Sequence, residues 1–276
     1  HEIRRVHPDP SQINQAVEKI KNSKQPIIIS GGGVLYSEAE QELSKFAKKH
    51  NIPVTSTVMG IGCMTKDDPY YISAVGALGE GSSNSLSKDT DLALAIGTKL
   101  ADFTTGSWAN FENPNFKLVS VNTARYDTTK HLATPVISDA KVGLQKISEA
   151  LGDWKAPDDW YKRAIKEKNE WDAYVEKQSG PTNQEEPSYA HAVGAVYRNS
   201  DPSDIVVTAA GGLVGEVVQV WKPKQINTFE TEWGFSCMGY EISGALGIKM
   251  AKPDQDVVVF VGDGSYLLNN TDIYSS

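Results

Sequence analysis

Only two cysteines, Cys63 and Cys237, occur in 276 residues, and they lie far apart in the chain. That is too few for a disulfide framework or a thiolate zinc site, and it suits a reducing cytoplasm. The five histidines, His1, His7, His50, His131 and His191, show no metal-ligand spacing. No apolar run approaches the roughly 18 residues that a membrane-spanning helix needs, and nothing at the N-terminus reads as a signal peptide. Basic residues are outnumbered, 27 against 35 acidic, so the formal charge is −8 and no basic block stands out. This balance argues against nucleic acid or an anionic membrane surface as the main partner. A starting methionine is lacking too. The chain opens at His1 and stops at Ser276, soon after a Gly-Asp-Gly-Ser turn that should begin a helix. It therefore reads as an internal segment of a longer protein.

What is present, 39% hydrophobic and 22% charged residues, fits one large or two ordinary globular domains. Residues 1–10 are polar, contain Pro8 and Pro10, and suit a linker. Ser11 is placed to cap a helix whose inner face is Ile13, Ala16, Val17 and Ile20. Short apolar strands follow at 26–30, 52–58, 91–97, 117–122 and 135–138. Helices are expected between them, one opened by a Ser37-x-x-Glu40 capping box, and the last, 140–151, capped by Asp139. Alternating strand and helix over residues 11–152 is the pattern of a doubly wound parallel sheet. Gly31-Gly32-Gly33 lacks the full spacing of a dinucleotide loop, so a close strand-to-helix crossing and a nucleotide-phosphate loop both stay open. Residues 76–89 and 98–110 read as polar loops, facing solvent or lining a cleft.

Residues 153–187 read as a connection: a charged helix over 158–178, with Trp160, Ala164, Trp171 and Val175 as a narrow apolar stripe, then a loose polar stretch. The second domain, 188–276, opens with a helix at 189–198 and a strand at 205–208 that runs into Ala209-Ala-Gly-Gly-Leu-Val-Gly215. Its centre of gravity is 228–266. There a glycine-bearing loop leads to a helix, and a strand apolar throughout 257–261, expected to be buried on both faces, ends in Gly262-Asp263-Gly264-Ser265.

The carboxyl edge of a parallel sheet is where open α/β folds bind ligands. Gly262 and Gly264 allow a tight turn and close approach to an anion, and the following helix start would offer N–H groups to a phosphate. Asp263 adds a hard oxygen for a divalent cation. A bare strand-to-helix turn would use the same residues. Two such strand-end loops converging on one ligand strengthen the binding reading.

Thr208-Ala-Ala-Gly-Gly, then Gly234-Phe-Ser-Cys-Met-Gly-Tyr-Glu-Ile-Ser-Gly-Ala-Leu-Gly, then Gly262-Asp-Gly-Ser resemble, in order and spacing, the diphosphate-binding domain of thiamine-diphosphate enzymes of the acetolactate synthase type. The first domain resembles that family's middle domain. The ISGGGVLYSEA, GTKLADFTTGS and PVISDAK runs are most similar to its branch that hydrolyses a cyclic dione in myo-inositol catabolism. The resemblance implies two doubly wound α/β domains, the second incomplete at its C-terminal end. By the same resemblance Asp263 ligates Mg²⁺, Gly262 lies in the same motif, and the Gly264 and Ser265 N–H groups hold the diphosphate. Gly211 and Gly212 contact the same end of the cofactor. The Ser236 carbonyl and Met238 N–H bond the aminopyrimidine, and Leu213 is either an apolar wedge beneath the cofactor or a core residue.

The reaction so implied is hydrolytic ring opening of a trihydroxycyclohexane-1,2-dione to a 5-deoxyglucuronate, with thiamine diphosphate and Mg²⁺, in a cytoplasmic homo-oligomer, dimer or tetramer. No catalytic residue is expected here, because the activating glutamate belongs to a preceding pyrimidine-binding domain and a further Asn ligand lies beyond Ser276. Asn269 and Asn270 sit too near the Gly-Asp-Gly turn to be that ligand, and His131 and His191 are bases by type only. The segment alone is expected to be inactive. An acetolactate synthase-type carboligase or decarboxylase, and a non-catalytic nucleotide-binding module built on Gly31–Gly33, remain alternatives.

Overall fold

The computed structural model describes residues 4–275; the first three residues of the expected 1–10 linker lie outside that range. The chain forms two compact units, the first running to Trp171 and the second starting at Asp172.

In chain order the first unit contains α1 (Pro10–Lys21), β1 (Pro26–Ser30), α2 (Gly33–Tyr36), α3 (Glu40–His50), β2 (Val54–Ser56), β3 (Tyr71–Ala74) and α4 (Gly81–Asp89). It continues with β4 (Leu92–Ile96), α5 (Asp102–Thr105), β5 (Lys117–Asn122), α6 (Arg125–Thr129), β6 (Thr134–Ile137) and α7 (Ala140–Leu151). The six strands form one parallel sheet in the order β3-β2-β1-β4-β5-β6. Alternate strand residues go to opposite faces, and they enter two separate cores. Ile28, Leu92, Leu94 and Ile96 join one with Phe46 and Leu144. Ile27, Ile29, Ala93 and Ala95 join the other with Leu86 and Trp160. Burial on both faces is why these strands are apolar without alternation.

The glycine-rich turn settles as a close crossing. A Cβ on Gly33 would stand 2.6 Å from Gly97 Cα, and the Gly33 N–H donates to the Gly97 carbonyl at 2.9 Å. The glycines let two backbones meet where β1 and β4 end side by side.

Several local expectations are corrected. Asp9 caps α1, its carboxylate accepting from the Ser11 N–H at 2.7 Å, so Ser11 lies inside the helix. No capping box opens α3: Ser37 ends α2, and the α3 cap, Ala39, has no side-chain bond. Asp139 does cap α7, through the Val142 N–H at 3.2 Å. The polar stretch 76–89 is half helix, because α4 buries its serines in hydrogen bonds: Ser73 Oγ pairs with Ser82 and Ser83, and Ser87 Oγ donates to the Ser83 carbonyl. Within 98–110, residues 102–105 are helical.

The long helix α8 (Asp158–Ser179) is followed by α9 (Tyr189–Asn199), β7 (Ile205–Thr208), α10 (Leu213–Val220), β8 (Phe229–Thr231), α11 (Tyr240–Ala251), β9 (Val257–Val259), α12 (Asp263–Asn269) and α13 (Thr271–Ser275). Three parallel strands make the sheet of the second unit, in the order β8-β7-β9. The expectation that 257–261 is buried on both faces is corrected: β9 covers three residues, all half-buried, and among the described residues it is an edge strand paired with β7 alone.

Candidate functional site

Because β7, β8 and β9 run parallel, the loops that follow them leave the same edge of the sheet. Register fixes their neighbourhood: Thr208 is opposite Thr231, and Val207 is opposite Val259. The central loop carries Ala209 to Gly212, and on either side stand 232–239 and 260–264.

Two carboxylates shape these loops. Glu232 folds the loop after β8 over itself, accepting the Phe235 N–H at 2.9 Å and the Cys237 N–H at 2.7 Å. Burial alone would raise its pKa; the N–H groups of Cys237 and Phe235 overcome that and hold it below the ordinary glutamate value. The same carboxylate pushes the Cys237 thiol upward, adding to desolvation. Glu241, in the first turn of α11, is fully buried. One of its oxygens accepts the Ala210 N–H at 3.1 Å and the other the Gly239 N–H at 3.0 Å, so it bridges the loops after β7 and β8. The helix that follows the third loop joins through Asn269, at the end of α12, whose amide donates to the Gly239 carbonyl at 3.3 Å. The Met238 Sδ-methyl lies 3.0 Å from where a Gly264 Cβ would be.

All the residues expected from sequence to form the site fall on this edge. Gly211 (φ 84°) and Gly212 close the first loop, and Leu213 begins α10, half-buried. Ser236 (φ 55°) and Met238 are exposed on the second loop, with Ser236 Oγ 3.4 Å from the Ala209 carbonyl. Gly262 caps α12, Asp263 is exposed, and Ser265 is buried. The Gly264 N–H donates to Asp263 Oδ1 at 2.8 Å, so this N–H is engaged by the neighbouring carboxylate.

The edge has room for an anionic ligand. At Gly211, Gly212 and Gly262 no atom lies within 4 Å of where a Cβ would stand. Thr208 Oγ1 and Thr231 Oγ1, at the carboxyl ends of β7 and β8, are buried without a hydrogen-bond partner. Small residues, open backbone and unpaired donors together fit a diphosphate cradle. Among the described residues no group of three or more His, Cys, Asp or Glu gathers to hold a metal ion.

Both histidines considered as bases have structural settings. His191 completes the cap of α9, its ring nitrogen 2.8 Å from Ser188 Oγ. His131 belongs to the first unit and packs on Trp108, ring centroids 4.6 Å apart. There it lines a cavity of about 380 Å³ at the amino ends of β5 and β6; burial, then Lys130, lowers its pKa.

Sequence reading missed Glu232 and Glu241. Their signal was present: an acidic residue within or just after each glycine-bearing loop, among neighbours that the helix buries.

Comparison with known proteins gives the family. Residues 13–147 match the thiamine pyrophosphate enzyme central domain, and residues 209–275 match the thiamine pyrophosphate enzyme C-terminal binding domain. The chain belongs to the thiamine-pyrophosphate enzymes. Over its whole length it is similar to the 3D-(3,5/4)-trihydroxycyclohexane-1,2-dione hydrolases of Clostridium tetani (37% identical), Geobacillus thermodenitrificans (34%) and Bacillus anthracis (32%). It covers 47%, 46% and 47% of those proteins, so it spans about half the length of the curated relatives it matches.

Proposed function

We propose that this chain supplies the middle and diphosphate-binding parts of a hydrolase that opens the ring of a trihydroxycyclohexane-1,2-dione to a 5-deoxyglucuronate, in cytoplasmic myo-inositol breakdown, with thiamine diphosphate and Mg²⁺. The observation that carries the reading is the shared edge of three glycine-bearing strand ends, open at Gly211, Gly212 and Gly262. The names of the relatives support the substrate class. Residues 11–152 serve as the middle domain, 188–276 as the cofactor domain, and 153–187 as the connection.

The cofactor, when bound, supplies an electron sink for carbon–carbon cleavage. The chain's own task is holding it. Gly211 and Gly212 admit the diphosphate to the backbone, with Gly262 opening the turn beside them. Asp263 would be the Mg²⁺ ligand, and the Gly264 and Ser265 N–H groups would hold the diphosphate. The Ser236 carbonyl and the Met238 N–H bond the aminopyrimidine edge. Leu213, half-buried at the head of α10, would serve as the apolar wedge against the cofactor. Exposed Phe235, Met238, Leu267 and Leu268, on or just after these loops, favour a homo-oligomer in which another chain covers them. No described helix is long and apolar enough to cross a membrane.

The test is product analysis on the full-length protein with thiamine diphosphate and Mg²⁺. Ring-opened acid from the cyclic dione is the expected product; acetolactate from pyruvate, with the dione untouched, would make the protein a carboligase instead.

A further inference from the structure

We infer that Glu241 is a positioning residue, holding the diphosphate loop and the aminopyrimidine loop at the separation the cofactor needs. The inference rests on the cofactor reading above, and it concerns a side chain given no role there.

A fully buried carboxylate is costly unless its oxygens are satisfied. Glu241 satisfies both on backbone N–H groups. The Gly239 contact lies within its own helix start, where an acidic residue is favourable for local reasons alone. The Ala210 contact does not: it reaches 31 residues back, to the loop after β7. Each oxygen therefore holds one loop. Ala210 immediately precedes Gly211 and Gly212, at the diphosphate end. Gly239 immediately follows Met238, at the aminopyrimidine end. The carboxylate is rigid, so the span between those two N–H groups is set by one buried group. A helix-capping role would need only the nearer of them.

Glu241→Gln preserves size but replaces one acceptor oxygen with an NH₂ group, which cannot accept an N–H. One loop is then released. A ligand that touches both loops depends on the span between them and should weaken more than a ligand confined to the diphosphate end, which loses at most the support of one loop. The experiment is calorimetric titration of the full-length protein, in excess Mg²⁺, with thiamine diphosphate and separately with inorganic diphosphate. For Glu241→Gln we expect thiamine diphosphate to bind about 10-fold or more weakly, in the range of lost outer-shell contacts. Inorganic diphosphate should weaken clearly less than thiamine diphosphate does. Equal weakening of both, or of neither, overturns the positioning role. Failure of the wild-type protein to bind thiamine diphosphate would instead overturn the cofactor reading. If the variant does not fold, hydrogen exchange on the wild-type protein decides. The Ala210 and Gly239 amides should both exchange slowly and gain protection together when thiamine diphosphate is added, and free exchange at Ala210 would contradict the bridge.

Discussion

Glycine serves two opposite ends in this chain, and one added methyl group separates them. At Gly33 a Cβ would stand 2.6 Å from Gly97 Cα, and its three nearest neighbours are all backbone atoms of Gly97, with no flexible side-chain end to yield. Gly33→Ala should therefore cost about 1–3 kcal/mol and lower the melting temperature. At Gly212 the backbone is ordinary (φ −67°) and the space beside it is open. Gly212→Ala should leave the melting temperature nearly unchanged while blocking the cofactor edge. Thermal melts of the two variants, with cofactor titration of the second, check both claims. Equal destabilisation by both would mean that Gly212 is a packing glycine as well.

His50 offers a pH test at the same scale. It is fully buried, with Nδ1 2.8 Å from the Trp154 carbonyl and Nε2 2.9 Å from Ser148 Oγ. Nδ1–H donates to the carbonyl, and Nε2 accepts from the hydroxyl, so the bonds suit the neutral ring. Burial lowers the pKa in the folded protein, the Trp154 carbonyl opposing it and Lys49 and Lys155 assisting. In the unfolded chain the ring takes its proton near pH 6.5, and the folded chain takes it lower. The unfolded state thus binds more protons in that window, and stability falls as pH drops below about 6.5, by at most about 1.4 kcal/mol per pH unit. His50→Asn, which keeps a donor for the carbonyl but does not titrate, should flatten that part of the curve. An unchanged slope would assign the pH dependence elsewhere.

Among the elements, the helix caps repay attention because they join distant parts of the chain. Asp139 caps α7 and also meets the Arg5 guanidinium at 2.8 Å, while the Val6 carbonyl accepts the Asp139 N–H at 2.9 Å. Asp139→Ala should cost at least the ~1 kcal/mol of a lost cap, and more because Arg5 loses its partner. Asp139→Asn keeps the cap acceptor and should cost less. Urea denaturation of both variants would show it, and equal losses would assign the whole effect to the ion pair and none to the cap.

Element by element, legibility followed unbroken apolar runs rather than burial itself: β3, buried throughout, was missed, and half-buried β9 was read. Strands β1, β4 and β5 were readable because both faces are covered, so the apolar signal is continuous. β3 and β8 were not: each is short, with Ser73 or Glu230 in the middle, and tertiary pairing decides them. α4 escaped because its buried face is made of serines that bond one another, which sequence reading takes for a solvated loop. The placement of the glycines and Asp263 at strand ends was legible because strand-end loops use few residue types. Glu232 and Glu241 were not, since their role depends on which N–H groups the fold brings to them.

At the scale of the whole molecule, the chain carries two parallel-sheet units but about half the length of its relatives. The exposed apolar residues near the site edge lead to an expectation for the full-length protein. Light scattering should show a dimer or tetramer, and Phe235→Asp together with Leu267→Asp should shift it toward monomer. A monomeric wild type would leave those side chains to another partner.

The most direct test of the central claim is calorimetric titration of the full-length protein with thiamine diphosphate, with and without Mg²⁺, beside its Asp263→Ala variant. The wild-type protein should bind thiamine diphosphate in a Mg²⁺-dependent way. Asp263 is exposed, so its replacement should leave stability within about 0.5 kcal/mol while weakening Mg²⁺-dependent binding by about 100-fold or more. Equally tight binding by Asp263→Ala, or binding indifferent to Mg²⁺, would contradict it.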